Sequence, residues 1–248
     1  MRPLRLLALG AAAYAAFLLA TVPASVVAPR LAAATGGQAR LSNAAGTIWN
    51  GSARLAITAR GLALTVDDVR WQFLPLRLLA GRAAFAVQAR LGNLRIQAEA
   101  SRTPLSWRVD DLRAGGDASA LAAVVPLAAA WQPAGTLALE APALAWDGER
   151  ATGSATAEWR DAALALSAVR PLGSWRAQAS AEGAAMKFSL ATIKGPLRLA
   201  GNGSAPLAGR LSFSGEARAE PGHEKDLEAV LALLGPRRAD GAHALDVR

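Results

Sequence analysis

Residues 46–82 read GTIWNGSARLAITARGLALTVDDVRWQFLPLRLLAGR, and this stretch decides the fold class. Gly46 and Gly51 bracket Trp49. From Ala53 onward the residues alternate, with Ala53, Leu55, Ile57 and Ala59 on one side and Arg54, Ala56, Thr58 and Arg60 on the other. A period of two with one apolar side is the pattern of a half-buried β-strand. A tryptophan between glycines suits a place where a large ring crosses a neighbouring strand while the backbone beside it bends or bulges. Residues 61–73 are extended again, and Asp67-Asp68 interrupt the apolar alternation, which marks a bend or a bulge. Leu76, Leu79 and Ala80 share one side at helical spacing before Gly81, so residues 76–81 form a brief helical turn.

Three pieces of this stretch resemble the signature of the type II secretion system protein N family, also called general secretion pathway protein N. They are Gly46-Thr47-Ile48-Trp49, Gly51-Ser52-Ala53, and the run from Trp71 through Leu74-Pro75-Leu76 to Leu79-Ala80-Gly81-Arg82. The resemblance continues more weakly through a short N-terminal hydrophobic segment, Trp159-Arg160-Asp161, Pro171-Leu172-Gly173 and Gly195-Pro196-Leu197. It implies a non-enzymatic accessory part of the type II secretion apparatus, associating with inner-membrane platform components and with the outer-membrane secretin.

The chain has 248 residues, enough for one large β domain or two small ones. It contains no Cys, which excludes a disulfide scaffold and any thiolate metal site. A net charge of +8 raises the question of nucleic acid. The basic residues answer it, because Arg54, Arg60, Arg70, Arg90 and Arg95 stand singly at alternate positions with no basic cluster and no interleaved aromatics. That is a solvated strand face, so no nucleic-acid partner is expected, and an anionic membrane surface or an acidic partner fits the charge better.

Arg2 and Arg5 precede a run without charge from Leu6 to Pro29. A spanning helix needs roughly 20 apolar residues, and the run reads as a transmembrane helix over residues 6–28. Residues 1–5 are then cytoplasmic, residues 29–38 a linker, and residues 39–248 a periplasmic β-rich domain of a single-pass inner-membrane protein. The competing reading is a cleaved signal peptide with its cut near Ser25; the retained anchor is favoured because the apolar run continues through Val26 and Val27.

Alternation recurs through the body. Ala83, Phe85, Val87, Ala89 and Leu91, the turn Gly92-Asn93, and Leu94, Ile96, Ala98 and Ala100 make a hairpin. Residues 117–130 are Ala-rich, open with an N-cap candidate at Asp117 and contain Pro126, giving an interrupted helix that joins possible sub-units 39–116 and 134–248. Short strands then follow about every ten residues. Glu224 to Leu234 form a last helix with Leu227, Val230, Leu231 and Leu234 in one stripe, and residues 242–247 a closing strand. The fold class is therefore mainly β: an N-terminal transmembrane helix, then a curved, largely antiparallel sheet with one or two short helices.

Groups for catalysis are sparse. The two histidines, His223 and His243, read as exposed side chains, and no nucleophile elbow, phosphate loop or zinc-binding helix motif is present. Asp67-Asp68 and Asp110-Asp111 are neighbours on strands, which puts the members of each pair on opposite faces and suits turns and bulges. No catalytic, cofactor or metal site is expected. The seven Trp read mainly as core, while Trp49 and Trp71 are the candidates for bracketing a groove or docking edge. A membrane-anchored secretion component acting by contact through open sheet edges is the first functional expectation. A lipid carrier, with a curved apolar sheet as its trough, is the alternative. Whether the protein's own helices fill that face separates the two.

Overall fold

The computed structural model describes residues 2–59, 62–124, 126–207 and 209–246. Beyond residue 38 the chain runs up and down through one sheet of 13 strands in which sequence order is spatial order. The strands are β1 (Ala39–Gly46), β2 (Asn50–Ala59), β3 (Leu62–Phe73), β4 (Ala83–Leu91), β5 (Leu94–Arg102), β6 (Trp107–Asp117) and β7 (Ala134–Trp146). There follow β8 (Ala151–Ala163), β9 (Gly173–Gly183), β10 (Ala185–Lys194), β11 (Leu197–Pro206), β12 (Ser212–Ala219) and β13 (His243–Ala244). Every neighbouring pair is antiparallel. The hairpin at Gly92-Asn93 and the helical turn at Pro75–Ala80, ended by Gly81 at φ +71°, are as the sequence predicts.

One face of the sheet is apolar from end to end because bulges reset the alternation. In β3 the apolar positions are Leu64 and Val66, then Val69, Trp71 and Phe73; the phase changes at Asp67-Asp68, where the register shifts and Asp68 takes φ +54°. In β6 they are Val109, then Leu112 and Ala114, and the shift falls at Asp111 with φ +51°. In β8 the phase changes between Trp159 and Ala162 at Asp161, φ +49°. Asp tolerates this left-handed conformation better than most side chains, and each bulge adds local twist. The sheet accordingly coils: Leu94 of β5 and Leu199 of β11 line one cavity, although six strand spacings in a flat sheet would set them about 29 Å apart.

The other face is polar and carries ion pairs, among them Arg54 with Asp67 at 2.8 Å and Arg176 with Glu158 at 2.7 Å. Most pairs on it are exposed, where each contributes roughly 0–1 kcal/mol.

Short helices lie against the sheet in places, beside the later strands and also beside β3. Asp117 caps the first of them, its carboxylate accepting from the Ser119 N–H at 2.8 Å. Helices α3 (Leu121–Val124) and α4 (Pro126–Trp131) follow, here numbered after two helices at the N-terminus. Helix α5 (Glu224–Leu234) turns Leu227, Val230 and Leu231 onto Leu172, Trp175, Leu197 and Ala217. That cluster is the hydrophobic core beside the later strands. The closing strand is shorter than residues 242–247, since only Glu216↔Ala244 and Ala217↔His243 pair with β12.

The N-terminal segment departs from a single helix over residues 6–28. Helix α1 (Arg2–Ala20) stops before Pro23, which forms a bridge with Thr47, and a 3-10 turn at Ala24–Val26 leads into α2 (Val27–Ala34). Proline has no N–H to continue the helix, and the sheet takes up the freed backbone: the Ile48 N–H donates to the Val22 carbonyl at 3.0 Å. Residues 29–38, the expected linker, carry the end of α2 (Val27–Ala34). Their first part is helical, as Ala-rich sequence favours, and the Thr35 hydroxyl closes α2 on the Leu31 carbonyl at 2.7 Å. Among the described residues no helix is long and apolar enough to cross a membrane. Arg60, Gly61, Val125 and Val247, all placed in elements by the sequence, lie outside the described residues.

Candidate functional site: an apolar trough and its tryptophan corner

The two tryptophans singled out in the sequence meet at one corner of the sheet. Trp71 stands over Gly51, where an added Cβ would lie 2.6 Å from its ring, so this position admits only glycine without a shift. The Trp71 Nε1–H donates to the Ile48 carbonyl at 3.1 Å, and the Trp49 Nε1–H reaches the Leu19 carbonyl at 2.7 Å. Trp49 packs on Phe73 with ring centroids 4.9 Å apart, and Phe73 on Phe85 at 5.2 Å. The corner therefore ties the end of α1 to the beginning of the apolar face. Both indoles are half-buried.

From that corner the apolar face leads to a cavity of about 510 Å³. Leu94, Leu139, Leu190 and Leu199 line it from the sheet, and Trp131 and Leu234 from the helices. Small-molecule sites typically span about 300–1,000 Å³. Its lining is almost wholly carbon, so it can desolvate an apolar body but offers little to orient a polar one. The alternation predicts an apolar face; it does not by itself show how far that face is covered. The helices are short against it. Thirteen strands span about 58 Å at 4.8 Å spacing, against about 16 Å for the 11 residues of α5.

The remaining tryptophans divide. Trp175 is buried and donates to the Leu197 carbonyl at 3.0 Å, as a core residue should. Trp107, Trp131 and Trp146 are exposed, contrary to a core reading. Trp107 and Trp146 face each other across β6 and β7 at the ends of those strands, where the coiled sheet has no second layer.

No arrangement for bond-making emerges from the named groups. His243 is buried rather than exposed, its Nδ1 2.8 Å from the Gly235 carbonyl, because the chain folds back beside β13. His223 lies 3.9 Å from Asp226 at the start of α5. Among the described residues no group of three His, Cys, Asp or Glu could hold a metal ion. Asp67 and Asp68 pair separately with Arg54 and Arg70, and Asp110 and Asp111 face Arg108 and Arg113. Hydrogen bonds from Arg176 and then Arg160 hold the Glu158 carboxyl below its ordinary value, and Glu99 raises Arg77 through a hydrogen bond. These shifts belong to cross-strand pairs on the polar face and at the strand ends.

The described residues thus form an open antiparallel meander with a partly covered apolar trough. The family profile described as type II secretion system (T2SS), protein N, matches residues 37–246. The chain belongs to the type II secretion system protein N family, whose members are accessory components of that machine. Comparison with curated proteins and with solved structures found no match.

Proposed function

We propose that the protein is an inner-membrane-anchored, periplasmic component of the type II secretion system that works by contact with platform components and the secretin. The observation that carries this reading is the apolar face of β3 to β5, where Trp71, Phe73, Phe85 and Val87 stay only half-buried. Supporting the anchor, Leu7, Leu9, Phe17 and Leu19 on α1 are exposed with no protein cover. Its 19 residues measure about 28 Å, and thinning of the bilayer accommodates a small shortfall against roughly 30 Å. Arg2 and Arg5 favour a cytoplasmic N-terminus.

The test replaces Val87, half-buried on the apolar face, by Glu, and its neighbour Gln88, on the polar face, by Glu as control. Val87→Glu is expected to abolish secretion of folded exoproteins at unchanged protein level, and Gln88→Glu to leave it intact. Full secretion with Val87→Glu, or in cells lacking the chain, overturns the reading.

The cavity of about 510 Å³ favours a second reading, carriage of a lipid chain in the trough. Native mass spectrometry of the extracted protein tests it: a stoichiometric phospholipid that is lost in Leu139→Trp supports carriage, and its absence removes it.

A further inference from the structure

The strand ends on the α1 side carry a second apolar surface, separate from the trough. Because the chain simply runs up and down, the connections alternate between the two ends of the sheet. Residues 47–49, 74–82, 103–106 and 147–150 share one end, and α1 arrives at that same end through the bond from Trp49 to Leu19. Here Leu76 is 78% exposed, Leu79 88% and Leu105 85%. Trp107 and Trp146, each about half exposed, stand just behind them. The opposite end also exposes Trp131, Leu166, Ile193, Leu233 and Leu234, all beside the later strands, while its turn between β4 and β5 is Gly92-Asn93.

The connections themselves are basic. Residues 74–82 and 103–106 contain no Asp or Glu; Arg77 pairs with Glu99 at 2.8 Å and Arg108 faces Asp110 at 3.7 Å, while Arg82 and Arg102 have no carboxylate within 4 Å among the described residues. Arg102 stacks over the Trp107 ring at 4.6 Å. Further from α1, the turn at residues 147–150 carries Asp147 and Glu149. Exposed leucines at the tips, indoles one step behind and guanidinium groups around them match the layering of a bilayer surface: hydrocarbon, interface, anionic headgroups.

We propose that the ends of β3 to β6 form a rim that dips into the surface of an anionic lipid bilayer and holds the body against the membrane in which α1 sits. The proposal rests on the anchoring of α1, which brings this end of the strands to the membrane. Leu76, Leu79 and Leu105 enter the boundary of the acyl chains, and Arg82 and Arg102 meet phosphate groups.

The chain has no Cys, so single-cysteine variants report one site each. Full-length protein carrying Phe17→Cys, Leu79→Cys, Leu105→Cys or Asn93→Cys is labelled with an environment-sensitive dye in vesicles of phosphatidylethanolamine and phosphatidylglycerol, with and without doxyl-labelled lipid. At 79 and 105 the emission is expected to shift to the blue and to be quenched by doxyl lipid, while at 93 neither occurs. Quenching at 17 with solvent-like emission at 79 and 105 overturns the rim and leaves the anchor standing. Quenching at 79 and 105 without quenching at 17 supports the rim and overturns the anchor. A blue shift at 79 and 105 without quenching shows cover by protein, a second copy included, and overturns the proposal.

Discussion

Strands β1 to β6 and strands β7 to β13 are built on the same plan, and they differ in what lies on their apolar face. In the later strands α5 and the segment around Leu172 close over the sheet, and the two largest fully buried side chains of the molecule, Leu172 and Leu227, are both there. In the earlier strands Trp71, Phe73, Phe85 and Val87 are only half-buried, although α3 lies beside β3 and Phe73 packs on Phe85. An antiparallel ladder satisfies its own backbone and so persists without a second layer, which leaves an apolar surface available.

The largest effect that would break this comparison lies in the core. Leu227→Ala should cost about 2–5 kcal/mol, the range for emptying a fully buried site. Phe85→Ala, on the open half, should cost about 1–1.5 kcal/mol, half of what full burial contributes. Chemical denaturation of both variants checks the pair, and equal costs would mean that the two halves are equally packed.

A smaller effect sharpens the link between the open half and α1. Trp49→Phe keeps a ring on Phe73 but removes the bond to the Leu19 carbonyl, worth about 1 kcal/mol. Hydrogen exchange should rise at residues 47–49 and leave α5 unchanged.

The smallest effect concerns pH and belongs to the covered half. Glu158 is depressed by Arg176 and Arg160, so its ionised form favours the folded state. That contribution is complete above the ordinary carboxylate value and is lost as pH falls through the lowered one. Glu158→Gln should flatten the acid limb of the melting-temperature profile, with little change at neutral pH.

Much of this difference is visible in residue order. Period-two alternation marks the strands, and the adjacent aspartates at 67–68 and 110–111 mark the bulges, because a carboxylate pair in an apolar alternation has nowhere else to go. Pro23 misleads: near the far end of an apolar run a proline is compatible with a spanning helix, whereas α1 ends at Ala20. Exposure of Trp107 and Trp146 is harder to read. An indole at a strand end looks the same in sequence whether or not a second layer covers it, and the cover depends on helices that are distant in the chain. The corner of Trp49 and Trp71 shows itself through Gly51, while its tie to Leu19 joins residues 30 apart.

Photocrosslinking in secreting cells tests the central claim most directly, with the crosslinker placed in turn at Val87 and Ile96 on the apolar face and at Gln88 and Gln97 on the polar one. The open-face account predicts adducts to an inner-membrane platform component or the secretin from 87 and 96, and none from 88 and 97. Equal adducts from both faces, or none to any secretion component from 87 and 96, would contradict it.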